Sequence, residues 1–154
     1  KQLIITWVIA ILLLGGLGLS PVLPQTDPHQ NIETVKIATS ADGTAINYYE
    51  HGQEGLVLVF VHGWSCDASY WREQVEYFKE KYHMVLIDLA GHGHSGSERE
   101  NYTMEAFGQD VKAVVESIGA EKVVLIGHSM GALVIAEAAR LMPEKAIAPI
   151  MQPR

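Results

Sequence analysis

The chain has little cysteine and little positive charge. Cys66 is the only cysteine, so no intrachain disulfide and no cysteine-based metal site can form. No thiolate-activating group stands near it in sequence, so Cys66 reads as a small semi-buried side chain rather than a nucleophile. Lys and Arg number 11 against 18 Asp and Glu, a formal charge of -7. A nucleic-acid partner is excluded on that balance, because no basic patch exists to replace phosphate counterions. Internal repeats and low-complexity segments are absent too. What remains is 154 residues with 48% hydrophobic content, enough for one domain with one sizeable core.

The longest apolar run is Leu3–Leu19, preceded by Lys1 and followed by Ser20-Pro21-Val22-Leu23-Pro24. It has no polar face, and its length lies between a signal-peptide core and a short membrane span. Residues 1–20 are therefore expected to be a signal peptide or membrane anchor, with Gly16 and Gly18 as small residues for cleavage. An exported (periplasmic or extracellular) or membrane-anchored protein follows from that expectation. Residues 21–33, rich in Pro, Gln, Asp and His, read as a linker, and 34–154 as the folded domain.

From Thr34 onward, short apolar runs alternate with amphipathic stretches. Thr34–Thr39 and Ala45–Tyr49 are predicted strands around a Ser40-Ala41-Asp42-Gly43 turn. Leu56–Val61, Met84–Asp88 and Val123–Ile126 are continuous aliphatic runs, as in strands buried on both faces. Helices are predicted over Tyr70–Lys81, from a Thr103 cap to Gly119, and from Met130 to Leu141 before Pro143. This alternation means an α/β fold: a mostly parallel sheet covered by helices on both faces.

The chemistry concentrates at Gly127-His128-Ser129-Met130-Gly131, between an aliphatic strand and an Ala-rich helix. A serine at the tip of a strand-to-helix turn has its hydroxyl pushed out at the carboxyl end of the sheet. The turn crowds backbone against backbone, so Gly127 and Gly131 must lack side chains. The helix start aims free N–H groups at the serine, and the Met130 amide can hold an oxyanion. A second N–H must converge on the same point, and His62-Gly63-Trp64, after the Leu56–Val61 strand, offers the Trp64 amide. A third element, Asp88-Leu89-Ala90-Gly91-His92-Gly93-His94-Ser95, follows the next strand. Gly91 to Gly96 formally satisfies G-x-G-x-x-G, but Ser97–Asn101 intervenes where a dinucleotide site needs a helix to open. His92 and His94 have no further ligand at metal spacing, so no metal is expected.

With these three elements in this order, the stretch Thr34–Glu144 resembles the α/β-hydrolase family in its serine-nucleophile branch. The resemblance implies Ser129 as nucleophile, the amides of Trp64 and Met130 as oxyanion hole, and no cofactor. It makes Asp88, Gly91, Gly93 and Ser95 structural, along with Gly63, Gly127, His128 and Gly131. His62 is expected to brace its loop, because the base of that family follows the serine in the chain. Serine at the elbow, where dehalogenases and epoxide hydrolases use Asp, implies an ester or related acyl substrate of small-molecule size.

One part of the pattern is missing. The family's triad runs Ser, acid, His, but after Ser129 come only Glu137 and Glu144 as acids, and no histidine. Glu137 falls two turns along the serine's own helix, and Glu144 beyond it. The tail Ala146–Ile150 stands where a sixth strand belongs, with Pro149 making its register suspect. The chain thus reads as the N-terminal portion of a hydrolase, inactive alone. The alternative is a non-catalytic, membrane-tethered binding module that keeps the fold without the chemistry.

Overall fold

The structure, a computed structural model, describes residues 34–52 and 54–152. The expected signal or anchor at 1–20 and the linker at 21–33 lie outside the described residues. Among the described residues, no helix is long and apolar enough to cross a membrane.

Strands β1 (Thr34–Thr39), β2 (Ala45–His51), β3 (Val57–Val61), β4 (His83–Ile87), β5 (Val123–His128) and β6 (Ala146–Gln152) form one sheet in the order β1-β2-β4-β3-β5-β6. The hairpin β1–β2 is antiparallel, as is the contact of β2 with β4. The β4–β3, β3–β5 and β5–β6 pairs are all parallel. Helix α1 (Arg72–Phe78) and the turn just before it cover one face, packing Val75 and Trp71 on Tyr49, Leu58, Phe60, Met84 and Leu86. Helices α2 (Met104–Ser117) and α3 (Met130–Leu141) cover the other through Phe107, Val111, Val114, Val134, Ile135 and Ala138. Gly108 lets α2 lie against α3: a Cβ there would come within 3.2 Å of the Ala138 amide.

The elements depart from the sequence pattern at a few ends, for local reasons. The predicted helix Tyr70–Lys81 is a 3-10 turn over Ala68–Trp71 followed by the shorter α1. The Asp67 carboxylate accepts from the Ser69 amide and starts that turn early. Its far end abuts Gly52, whose missing side chain leaves room for the carbonyls of Lys79 and Tyr82. Strand β4 closes at Ile87, freeing Asp88 for the loop. In β5 burial alternates, with Val124 and Ile126 only partly covered, because α1 and its 3-10 turn do not extend fully over that edge.

The tail does form a strand. β6 pairs with β5 in parallel, with Pro149 opposite Leu125 and one register shift beside Val123 and Val124. Among the described residues β6 is an edge strand, where the missing proline donor is tolerated.

Candidate active site

Ser129 sits between the end of β5 and the first turn of α3, with φ 52° and ψ -116°. A non-glycine residue there carries about 1–3 kcal/mol of backbone strain. The strain is held in place by contacts that admit no side chain on either flank. A Cβ on Gly127 would strike the Gly131 carbonyl and lie 2.8 Å from the Ala132 amide. A Cβ on Gly131 would strike the Val61 carbonyl and lie 2.6 Å from that of His62. The end of β6 reaches the elbow as well, the Ser129 amide donating to the Gln152 carbonyl at 3.3 Å.

The loop after β3 packs directly on the elbow. Any Cβ on Gly63 would lie 3.2 Å from the Ser129 Cβ and 3.1 Å from the His128 Nδ1. Met130 is the first residue of α3, so its amide has no carbonyl partner inside the helix. The Trp64 amide makes no hydrogen bond among the described residues. The Trp64 ring is exposed and meets His92 edge-on at 5.2 Å. Ser129, Met130 and Trp64, with Ala132, Leu133, Met151 and Gln152, line an open cleft of about 730 Å³.

His62 is fully buried and joins two loops. Its Nε2 accepts from the Leu89 amide at 3.1 Å, which places the ring proton on Nδ1, 2.7 Å from the Gly63 carbonyl it donates to. Burial is the largest influence on this imidazole and pushes its pKa below the ordinary histidine value. The Gly63 bond and the Asp88 and Asp67 charges oppose that shift, while His92 adds to it. His128 stacks on Tyr70 at 4.5 Å, and its Nδ1 is buried without a partner.

The Asp88–Ser95 segment is a knot around one buried carboxylate. Asp88 accepts from the amides of Ala68 and His94 and from the Tyr49 hydroxyl, at 2.7, 2.9 and 3.0 Å. The Ser95 hydroxyl donates to the Asp88 carbonyl at 2.6 Å and accepts from the Asn47 amide at 2.8 Å, tying the loop to β2. At Gly91 (φ 73°) the Tyr102 ring fills the space a side chain would need. Among the described residues no three His, Cys, Asp or Glu side chains converge as metal ligands would.

Sequence reasoning missed a second buried carboxylate. Asp110 of α2 accepts from Arg99 at 2.6 and 3.1 Å, from the Ser40 hydroxyl at 2.6 Å and from the Ala90 amide at 3.4 Å. Arg99 also meets Asp42 at 3.0 Å. The signal was available: an Asp on the buried stripe of an amphipathic helix needs a cation, and Arg99 is close by in sequence. Glu137 is bound instead to Arg140 on its own helix, at 2.6 Å.

This chain belongs to the α/β-hydrolase family: the model of the alpha/beta hydrolase fold matches residues 57–148. It is 37% identical over 95 residues to a non-heme chloroperoxidase of Streptomyces lividans, covering 60% of this chain and 34% of that protein. It is 33% identical over 95 residues to epoxide hydrolase 4 of Homo sapiens, covering 60% of this chain and 26% of that protein. An esterase from Rhodococcus sp. superposes with a TM-score of 0.72 at 31% identity, over 76% of this chain and 44% of the esterase. Esterases, epoxide hydrolases and haloperoxidases thus stand together among its relatives. The chain spans about a third or less of the length of these curated relatives.

Proposed function

We propose that the protein is a serine hydrolase that cleaves small-molecule esters or related acyl bonds with Ser129 as nucleophile. One observation carries this reading: a serine, rather than a carboxylate, is held at φ 52° and lines an apolar cleft together with Met130 and Trp64, whose amides have no partner among the described residues. In the reaction the Ser129 Oγ attacks the acyl carbon, and the carbonyl oxygen becomes an oxyanion. The N–H groups of Met130 and Trp64 hold that charge where it develops, which is worth more than binding the ground state. The leaving alcohol departs with a proton, leaving an acyl-enzyme for water to hydrolyse.

The serine proton needs a base, and neither His62 nor His128, the histidines that flank the elbow, is placed for that role. His62 has both nitrogens engaged, and His128 stacks away on Tyr70. We therefore place the base and its acid outside the described residues, following the serine in the chain order of the family, and expect residues 1–154 alone to be inactive. Intact protein should hydrolyse p-nitrophenyl acetate in a Ser129-dependent manner, while residues 1–154 alone should be no faster than their Ser129→Ala control. Turnover by the intact protein that ignores Ser129→Ala would favour a binding module with the fold but not the chemistry.

Residues 3–19 are proposed to direct export or anchor the protein at a membrane. A reporter active only after export should respond to a fusion carrying them, and lose the response when residues 1–20 are deleted. Unchanged export without them would discard that placement.

A further inference from the structure

We infer that the cleft beside Ser129 is a subsite for an uncharged, apolar acyl chain, and that Leu133 sets its specificity. The inference rests on the serine-hydrolase reading above and names the acyl class that site takes. Trp64, Leu133 and Met151 are 65%, 62% and 56% exposed, large apolar side chains left in water by three separate segments. Scattered singly, such residues mean little, but these three line one cleft together with Ser129. Leu133 stands four residues after Ser129, one turn along α3, which puts both on one side of the helix. The exposed stripe runs on through Ala136 to Arg140, so it is apolar at the serine's end and charged at the far end. Met151 comes from β6, where it pairs with Gly127, two residues before the serine. The Trp64 ring meets His92 edge-on at 5.2 Å.

Connectivity makes the acyl group the occupant. Once the Ser129 Oγ is bonded to the acyl carbon, the chain beyond that carbon is tethered at the wall of this cleft. Its volume of about 730 Å³ is that of a small-molecule site. Among the described residues no Asp, Glu, Lys, Arg or His lines it, and the polar side chains present are those of Ser129 and Gln152. A carboxylate or ammonium on the acyl chain would lose water there and gain no charged partner, a cost an alkyl chain does not meet. Each methylene that leaves water instead favours ground state and transition state alike, so chain length reads out in kcat/KM.

Three p-nitrophenyl esters given to the intact protein test this: the acetate, the hexanoate, and the hydrogen glutarate, whose chain ends in a carboxylate. The kcat/KM for hexanoate should exceed that for acetate by about tenfold or more, from the added methylenes. It should exceed that for the glutarate by about tenfold or more as well, from the unpaired charge. Leu133→Asn keeps the size of the side chain but makes it polar, and should cut the hexanoate-to-acetate ratio by about fivefold or more. A ratio is unaffected by how much of the variant is folded. An unchanged ratio would overturn the inference and give Leu133 to packing against the rest of the chain. Should Leu133→Asn not fold at all, Met151→Gln should lower the same ratio from the β6 side, and an unchanged ratio there counts equally against it. In the unsubstituted protein, hexanoate no better than acetate, or glutarate as good as hexanoate, would overturn the inference without any variant. Absence of Ser129-dependent turnover of all three esters would instead overturn the hydrolase reading.

Discussion

The backbone of Gly93 lies against the carboxylate of Asp88 so closely that a methyl group between them would overlap both carboxylate oxygens. Gly93 also has φ 50°, where any side chain is strained. Gly93→Ala should therefore break the Asp88 hub and cost more than the about 1 kcal/mol typical of a point substitution. Urea unfolding of the intact protein measures this, and a loss below about 0.5 kcal/mol, the usual surface range, would show that the loop adapts freely.

The Arg99–Asp110 pair should be costly to break from one side only. Burial is the largest influence on Asp110 and raises its pKa above the ordinary carboxylate value, with Arg99 chief among the groups pulling it back. Arg99→Met leaves the carboxylate buried and uncompensated, for which about 3–5 kcal/mol is expected. The double variant Arg99→Met, Asp110→Leu should recover much of that loss, as apolar replacements of buried pairs often do. Additive losses in a double-mutant cycle would contradict the coupling.

His62 makes the fold sensitive to mild acid. Its folded pKa is lowered, so above about pH 6.5 the ring is neutral in both states and costs nothing. As pH falls from 6.5 towards the folded value, the unfolded chain takes up a proton that the folded one refuses. Stability then declines by up to about 1.4 kcal/mol per pH unit from this group. The paired carboxylates Asp42 and Glu50 are held below their ordinary values and act only at lower pH. Urea midpoints at pH 8 and pH 5.5 should shift more in the unsubstituted protein than in His62→Asn. Equal shifts would assign the acid sensitivity to other histidines.

Much of the fold was legible because its signals are local. The aliphatic runs at residues 57–61 and 84–87, the Thr103 cap and the helix Met130–Leu141 need no knowledge of distant partners. The glycines of the elbow were legible for the same reason, since a tight turn imposes its demand within five residues. The hub roles were not. Nothing within Asp88–Ser95 says that Tyr49 and Ala68 donate to the carboxylate. For Asp110 the helix pattern signals the need for a cation, but not that Ser40 and Ala90, from two distant segments, meet on it with Arg99. The edge strand β6 was obscured by Pro149, whose cost depends on how many neighbours the strand has.

Covalent labelling of Ser129 tests the central claim most directly. Intact protein should react with a fluorophosphonate probe at a single site, and peptide mass spectrometry should place the adduct on Ser129. Ser129→Ala should take up no label while remaining folded, since the change removes one oxygen. Equal labelling of both proteins, or an adduct on another residue such as Cys66, would contradict the account.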